Sequence, residues 1–113
     1  MRELDDRCPE DTKVKCKISE FCRSPELVLL SHTATNDLGL LLLTKDAALA
    51  AIAEHIAGCG RVFTDRMDNG DTAYIINECI VGDSVLYAKM RFFRLKENER
   101  MLLFSAHPPR RWC

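Results

Sequence analysis

Tyr87, Lys89 and Arg91 alternate along one stretch of the chain, and His107 closes a second apolar run shortly after it. A phenol, an ammonium, a guanidinium and an imidazole are groups that can hold a phosphate and move a proton beside it. The guanidinium offers a planar fork to two phosphate oxygens, and the ammonium adds a compact point charge. Imidazole titrates near neutrality, so His107 suits a general acid or a general base. These groups act together only if one surface carries all four.

The surrounding pattern supplies such a surface. Residues 84–94 and 100–107 read as two strands joined by a polar connector rich in Lys, Glu and Asn. Alternate residues of a strand share a face. Tyr87, Lys89 and Arg91 therefore fall on one side of the first strand, and Leu86, Ala88, Met90 and Phe92 on the other. In the second strand Leu102, Phe104 and Ala106 alternate with Leu103, Ser105 and His107, and an even register puts His107 on the same face as Tyr87, Lys89 and Arg91. The preceding turn decides what stands on the third side. A two-residue turn at Gly82–Asp83 sets Glu78 opposite Tyr87, whereas a three-residue turn including Ser84 sets Asn77 opposite Lys89. A slip of one residue exchanges the whole face. A carboxylate at that place favours a general base, and an amide favours a binding site.

The apolar face of this sheet needs a cover, and the first half of the chain provides helices. Residues 1–11 are charged and aperiodic and read as a flexible arm, with residues 12–113 as one domain. Val14, Ile18, Phe21 and Cys22 form a helical stripe over residues 12–22, with Lys13, Lys15, Lys17 and Glu20 on the wet side. Ser24–Pro25 predicts a stop and a second helix over residues 25–38, capped by Gly39. The apolar run at residues 40–43 is ambiguous between a buried strand and a helix approach. Thr44 suits an N-cap, and the alanine-rich residues 47–57 form the strongest helix, with Leu49, Ile52, Ala53 and Ile56 inward and His55 structural at the border. Residues 61–67 and 71–81 then read as a hairpin about Asn69–Gly70. The expectation is α+β: about three helices packed on a four-stranded antiparallel meander.

Charge is distributed unevenly. Residues 84–113 carry Lys89, Arg91, Arg94, Lys96, Arg100, Arg110 and Arg111 against Glu97 and Glu99, while the whole chain has a formal charge of −1. That asymmetry points to an anionic partner for the C-terminal sheet. Solvated strand edges, where cations deter aggregation, are the plain alternative. No stretch is long and apolar enough for a membrane span, and the N-terminus has no apolar signal core, so a cytoplasmic protein with reduced thiols is expected. The six cysteines form no C-x-x-C pair. A metal site from Cys8, Cys16, Cys22 and His32 is conceivable, but small core hydrophobes are the simpler reading, with no cofactor and no metal expected.

Several strings resemble one known family. The segment Ala34-Thr35-Asn36-Asp37-Leu38-Gly39-Leu40, the apolar helix after it, Val85-Leu86-Tyr87-Ala88-Lys89-Met90 and Leu103-Phe104-Ser105-Ala106-His107 are similar to the MqsR toxins of the RelE-like ribonuclease superfamily. The resemblance covers roughly residues 21–108 and rests on short motifs. It implies a RelE-like fold and a toxin-type, metal-independent endoribonuclease of a toxin–antitoxin system. Tyr87 and Lys89 match the family's Tyr-x-Lys strand, and His107 its terminal basic residue. The family's Lys on an earlier strand and Gln before the third have no counterpart, so Arg61 or Arg66, and Asn77 or Glu78, would stand in. The resemblance thus implies Tyr87, Lys89, His107 and Glu78 as catalytic, and Arg61, Arg66 and Asn77 as RNA-binding, to which the shared strand face with Lys89 adds Arg91. Its implied partners are RNA, free or on the ribosome, and a cognate antitoxin. The alternative is a non-enzymatic module docking nucleic acid or an acidic protein through the same face.

Overall fold

A computed structural model describes residues 1–108. Strand β1 (Arg2–Glu3) is followed by helix α1 (Pro9–Cys22), strand β2 (Val28–Leu30), helix α2 (His32–Leu40) and helix α3 (Lys45–Ala57). Strands β3 (Phe63–Arg66), β4 (Thr72–Val81), β5 (Ser84–Leu95) and β6 (Asn98–His107) follow among the described residues. The fold is α+β, with three helices against one open sheet in the order β1-β3-β4-β5-β6-β2.

Local chemistry accounts for the helices. Pro9 sits in the first turn of α1 and Glu10 and Asp11 complement its positive end. Ser31 caps α2 by accepting from Ala34 N at 3.0 Å, and Thr44 caps α3 by accepting from Ala47 N at 3.0 Å. Ile18, Leu49 and Ile52 are fully buried and join Leu86, Ala88, Met90, Met101 and Leu103 in one core cluster. The helices therefore cover the side of the sheet that carries the even-numbered residues of β5.

Five expectations need correction. The sheet has six strands and is mixed, because two short edge strands join it and β2 runs parallel to β6, with Val28 beside Met101. The helix expected over residues 25–38 is one 3-10 turn, Pro25–Leu27, followed by that strand and then by α2. Val28, Leu29 and Leu30 suit a strand, and the open edge of β6 offers them partners, so pairing overrides the helix start. Gly39 lies inside α2 rather than capping it, and Leu40 and Leu42 beyond it are exposed. Residues 1–11, read as an arm, instead carry β1 and the first turn of α1. Arg2 donates to both oxygens of Asp11 at 2.8 and 3.1 Å, and the Asp5 N–H reaches the same carboxylate. Lys15, assigned to the wet side of α1, is buried because Asp6 of this segment meets it at 2.7 Å. No helix among the described residues is long and apolar enough to cross a membrane.

Candidate functional site

Strand β5 sets the geometry. The Gly82–Asp83 turn has two residues, since Val81 pairs with Ser84, and Gly82 takes a positive φ of 59° there. Between the pairs Ile76–Ala88 and Cys79–Leu86 the ladder shifts, so Asn77 and Glu78 together oppose Tyr87. A second shift lies on the other flank, where Phe104 and Ser105 of β6 together face Lys89, between the pairs Ala88–Ala106 and Met90–Leu103. Each is a β-bulge: one extra residue that leaves two consecutive side chains on one side. Strict alternation therefore fails on β6. Met101, Leu103 and Ala106 enter the core, while Leu102, Phe104, Ser105 and His107 belong to the open face.

On that open face Tyr87 stands directly opposite His107, and the rings stack with centroids 4.7 Å apart and planes 15° from parallel. His107 Nδ1 lies 2.7 Å from the Pro108 carbonyl oxygen. A carbonyl only accepts, so Nδ1 carries the hydrogen and Nε2 of the neutral ring keeps its lone pair. Lys89 Nζ lies 5.4 Å from the Phe104 ring centre and 3.7 Å from Asp65 Oδ2. Arg91 reaches Asp71 Oδ2 at 3.6 Å and lies 5.7 Å from the Phe93 ring. Ile75, between Phe63 and Lys89 in the ladder, is 3% exposed. The floor is thus apolar, and the two central cations are each met by a carboxylate. Asp65 and Asp71 come from the β3–β4 hairpin, outside the basic C-terminal stretch, so the face is less positive than that stretch alone.

No family model, curated protein or solved structure matches this chain. What the site can do is then a matter of its own chemistry.

The remaining residues named from sequence divide. Asn77, Glu78 and Arg61 border a hollow of about 340 Å³ with His55 and Phe63, at the end of the sheet where the Asn77–Glu78 bulge faces Tyr87. Arg61 is held there by Glu3 at 2.6 Å, whose hydrogen bond and charge push the guanidinium pKa further up, and it lies 5.1 Å from the Phe63 ring centre. Arg66 does not join them. It alternates with Phe63 and Asp65 on β3, in phase with Thr64, which pairs with Tyr74, and Tyr74 packs on Phe92 of the helix-covered side. His55, read as structural, has Nε2 3.0 Å from the Arg61 carbonyl, so its ring ties α3 to the loop that bears Arg61.

The thiols offer little. Burial pushes Cys22 up to about 12 and Cys79 to about 11, which suppresses the reactive thiolate. Cys16 and Cys59 are exposed. No group of three or more His, Cys, Asp or Glu among the described residues could hold a metal ion. The sequence reading missed Asp65, Asp71, Phe63 and Phe104. A two-residue turn at Asn69–Gly70 would set Asp65 level with Tyr74 on the covered side; the loop instead has three residues, with Met67 N donating to Asp71 O across it, and this sets Asp65 level with Ala73 on the Lys89 face. The bulge that recruits Phe104 likewise leaves no local signature.

Proposed function

We propose that this protein is a metal-independent endoribonuclease of the toxin type, acting on single-stranded RNA through the open face of β5 and β6. The observation that carries the reading is the stacked Tyr87–His107 pair, on the helix-free side of the sheet from which Lys89 and Arg91 also emerge. In the reaction, His107 Nε2 takes the proton of a ribose 2′-OH. The freed oxygen attacks the adjacent phosphorus, and Lys89 and Arg91 hold the charge that gathers on the equatorial oxygens. The bond to the 5′ oxygen breaks, the Tyr87 hydroxyl supplies its proton, and a 2′,3′-cyclic phosphate remains. Strands lie about 5 Å apart, so His107 on β6 and Glu78 on β4 are roughly 10 Å apart across β5. That spacing leaves Glu78 remote from the proton His107 takes. The RelE-like kinship belongs to the same proposal and is supported by β3, β4, β5 and β6 pairing antiparallel in chain order. So do a cytoplasmic setting, the ribosome as a place of action and an antitoxin that covers this face.

The test is RNA cleavage in the presence of a chelator. Wild type should release fragments ending in 2′,3′-cyclic phosphate, and His107→Ala should slow this by at least about 100-fold while circular dichroism stays unchanged. RNA left intact with and without ribosomes, together with normal growth on expression, would overturn the proposal. One observation favours a second reading, a docking face for an acidic protein: carboxylates of Asp65 and Asp71 already sit on both cations, as a partner's would.

A further inference from the structure

The hollow beside the bulge carries chemistry that phosphate binding does not use. We propose that it seats one unpaired guanine base of the RNA whose phosphate lies on Lys89, a subsite that rests on the RNA reading of the neighbouring face. Arg61 and Phe63 form a ledge. The guanidinium lies over the ring, and Glu3 grips it from the side through Nε. His55 holds the loop beneath, with its ring so close to Gly60 that a Cβ there would lie 2.4 Å from it. A planar cation fixed in this way is a stacking surface for a nucleobase, and its immobilisation lowers the entropic cost of binding.

The bulge supplies the reading edge. Asn77 and Glu78 are consecutive, both exposed, and both lie between the core-facing Ile76 and Cys79. A carboxylate has two acceptor oxygens and no donor. Guanine alone among the four bases presents two adjacent donors, N1–H and the N2 amino group, on one edge. Adenine and cytosine set a lone pair beside their amino group, which a carboxylate repels, and uracil offers one N–H between two carbonyls. Glu78 therefore selects guanine through a charge-assisted fork, and the Asn77 amide can donate to the neighbouring O6. The same bulge opposes Tyr87, which places the base next to the phosphate that His107 and Lys89 would handle.

Isotope-labelled whole protein titrated separately with 5′-GMP, 5′-AMP, 5′-CMP and 5′-UMP tests this without relying on cleavage. GMP should bind about tenfold more tightly than the others and shift the resonances of His55, Asn77 and Glu78. Glu78→Gln keeps the size of the side chain but loses one acceptor, and should abolish that preference. His107→Ala should retain it while losing cleavage. Equal binding of all four nucleotides, shifts centred elsewhere, or a preference that survives in Glu78→Gln would overturn the subsite. Cleavage that is indifferent to guanine would do so too and leave the nuclease standing; GMP selectivity with no RNA cut would keep the subsite and remove the nuclease.

Discussion

Asp65→Asn should tighten RNA binding. In the free protein Asp65 competes with phosphate for Lys89, at 3.7 Å and with side chains 41% and 22% exposed. Unit charges at about 4 Å attract by roughly 1 kcal/mol in water and about 4 kcal/mol at an intermediate dielectric. Side-chain entropy and screening bring half-wet pairs to about 0.5–1 kcal/mol, so removing the competitor should strengthen binding about two- to fivefold. Asp71→Asn relieves Arg91 in the same manner, and the double variant should approach about tenfold if the two sites add. The assay is fluorescence anisotropy of a labelled single-stranded RNA at low ionic strength, in a His107→Ala background that prevents turnover. Glu26→Gln, exposed and on another element, changes net charge equally and serves as control. The gain should shrink as salt rises, and Lys89→Ala should cancel it. An Asp65→Asn protein that binds RNA no better than Glu26→Gln would refute the idea that Lys89 is a phosphate receptor.

Three further outcomes concern the scaffold. Lys96 and Glu97 close the β5–β6 hairpin with φ of 50° and 69°, a left-handed pair that disfavours both residues. Lys96→Asn with Glu97→Gly should therefore raise stability by about 1–2 kcal/mol in urea denaturation. Ser31→Ala removes the α2 cap and the hydroxyl that donates to Phe104 O at 3.2 Å; about 1–2 kcal/mol should be lost in the same measurement. The Arg2 guanidinium, then the Asp5 N–H, hold the Asp11 carboxyl down at about 2 from an ordinary 3.8. Its contribution is thus complete above about pH 4 and disappears as pH falls through about 2. The stability gap between wild type and Asp11→Asn, followed by thermal unfolding, should close over that interval.

Local rules were sufficient where local chemistry decides. Thr44, the alanine run and Gly58 bound α3 much as their propensities require, and Asn69–Gly70 and Gly82–Asp83 turn the chain where turn chemistry says they should. Tyr87 and Lys89 share a side by parity, but His107 joins them only because the Phe104–Ser105 bulge shifts the register of β6. What escaped was decided by partners distant in the chain. Val28–Leu30 become a strand only because β6 presents an edge, and Lys15 is buried only because Asp6 comes back over α1. The bulges escaped for another reason. Asn77–Glu78 and Phe104–Ser105 differ in nothing local from ordinary strand residues, yet they decide which side chains join the open face. The alternatives weighed for Asn77 and Glu78 treated the register as rigid, and the bulge places both residues opposite Tyr87.

Because each bulge inserts its spare residue between two inward-pointing neighbours, deleting one member of either pair would restore an unbroken ladder without turning any core side chain outward. Receptor and scaffold are separable in this molecule to that extent. Shortening β4 or β6 by a single residue should yield a protein that still folds around Leu86, Ala88 and Met90 while its contoured upper surface is flattened.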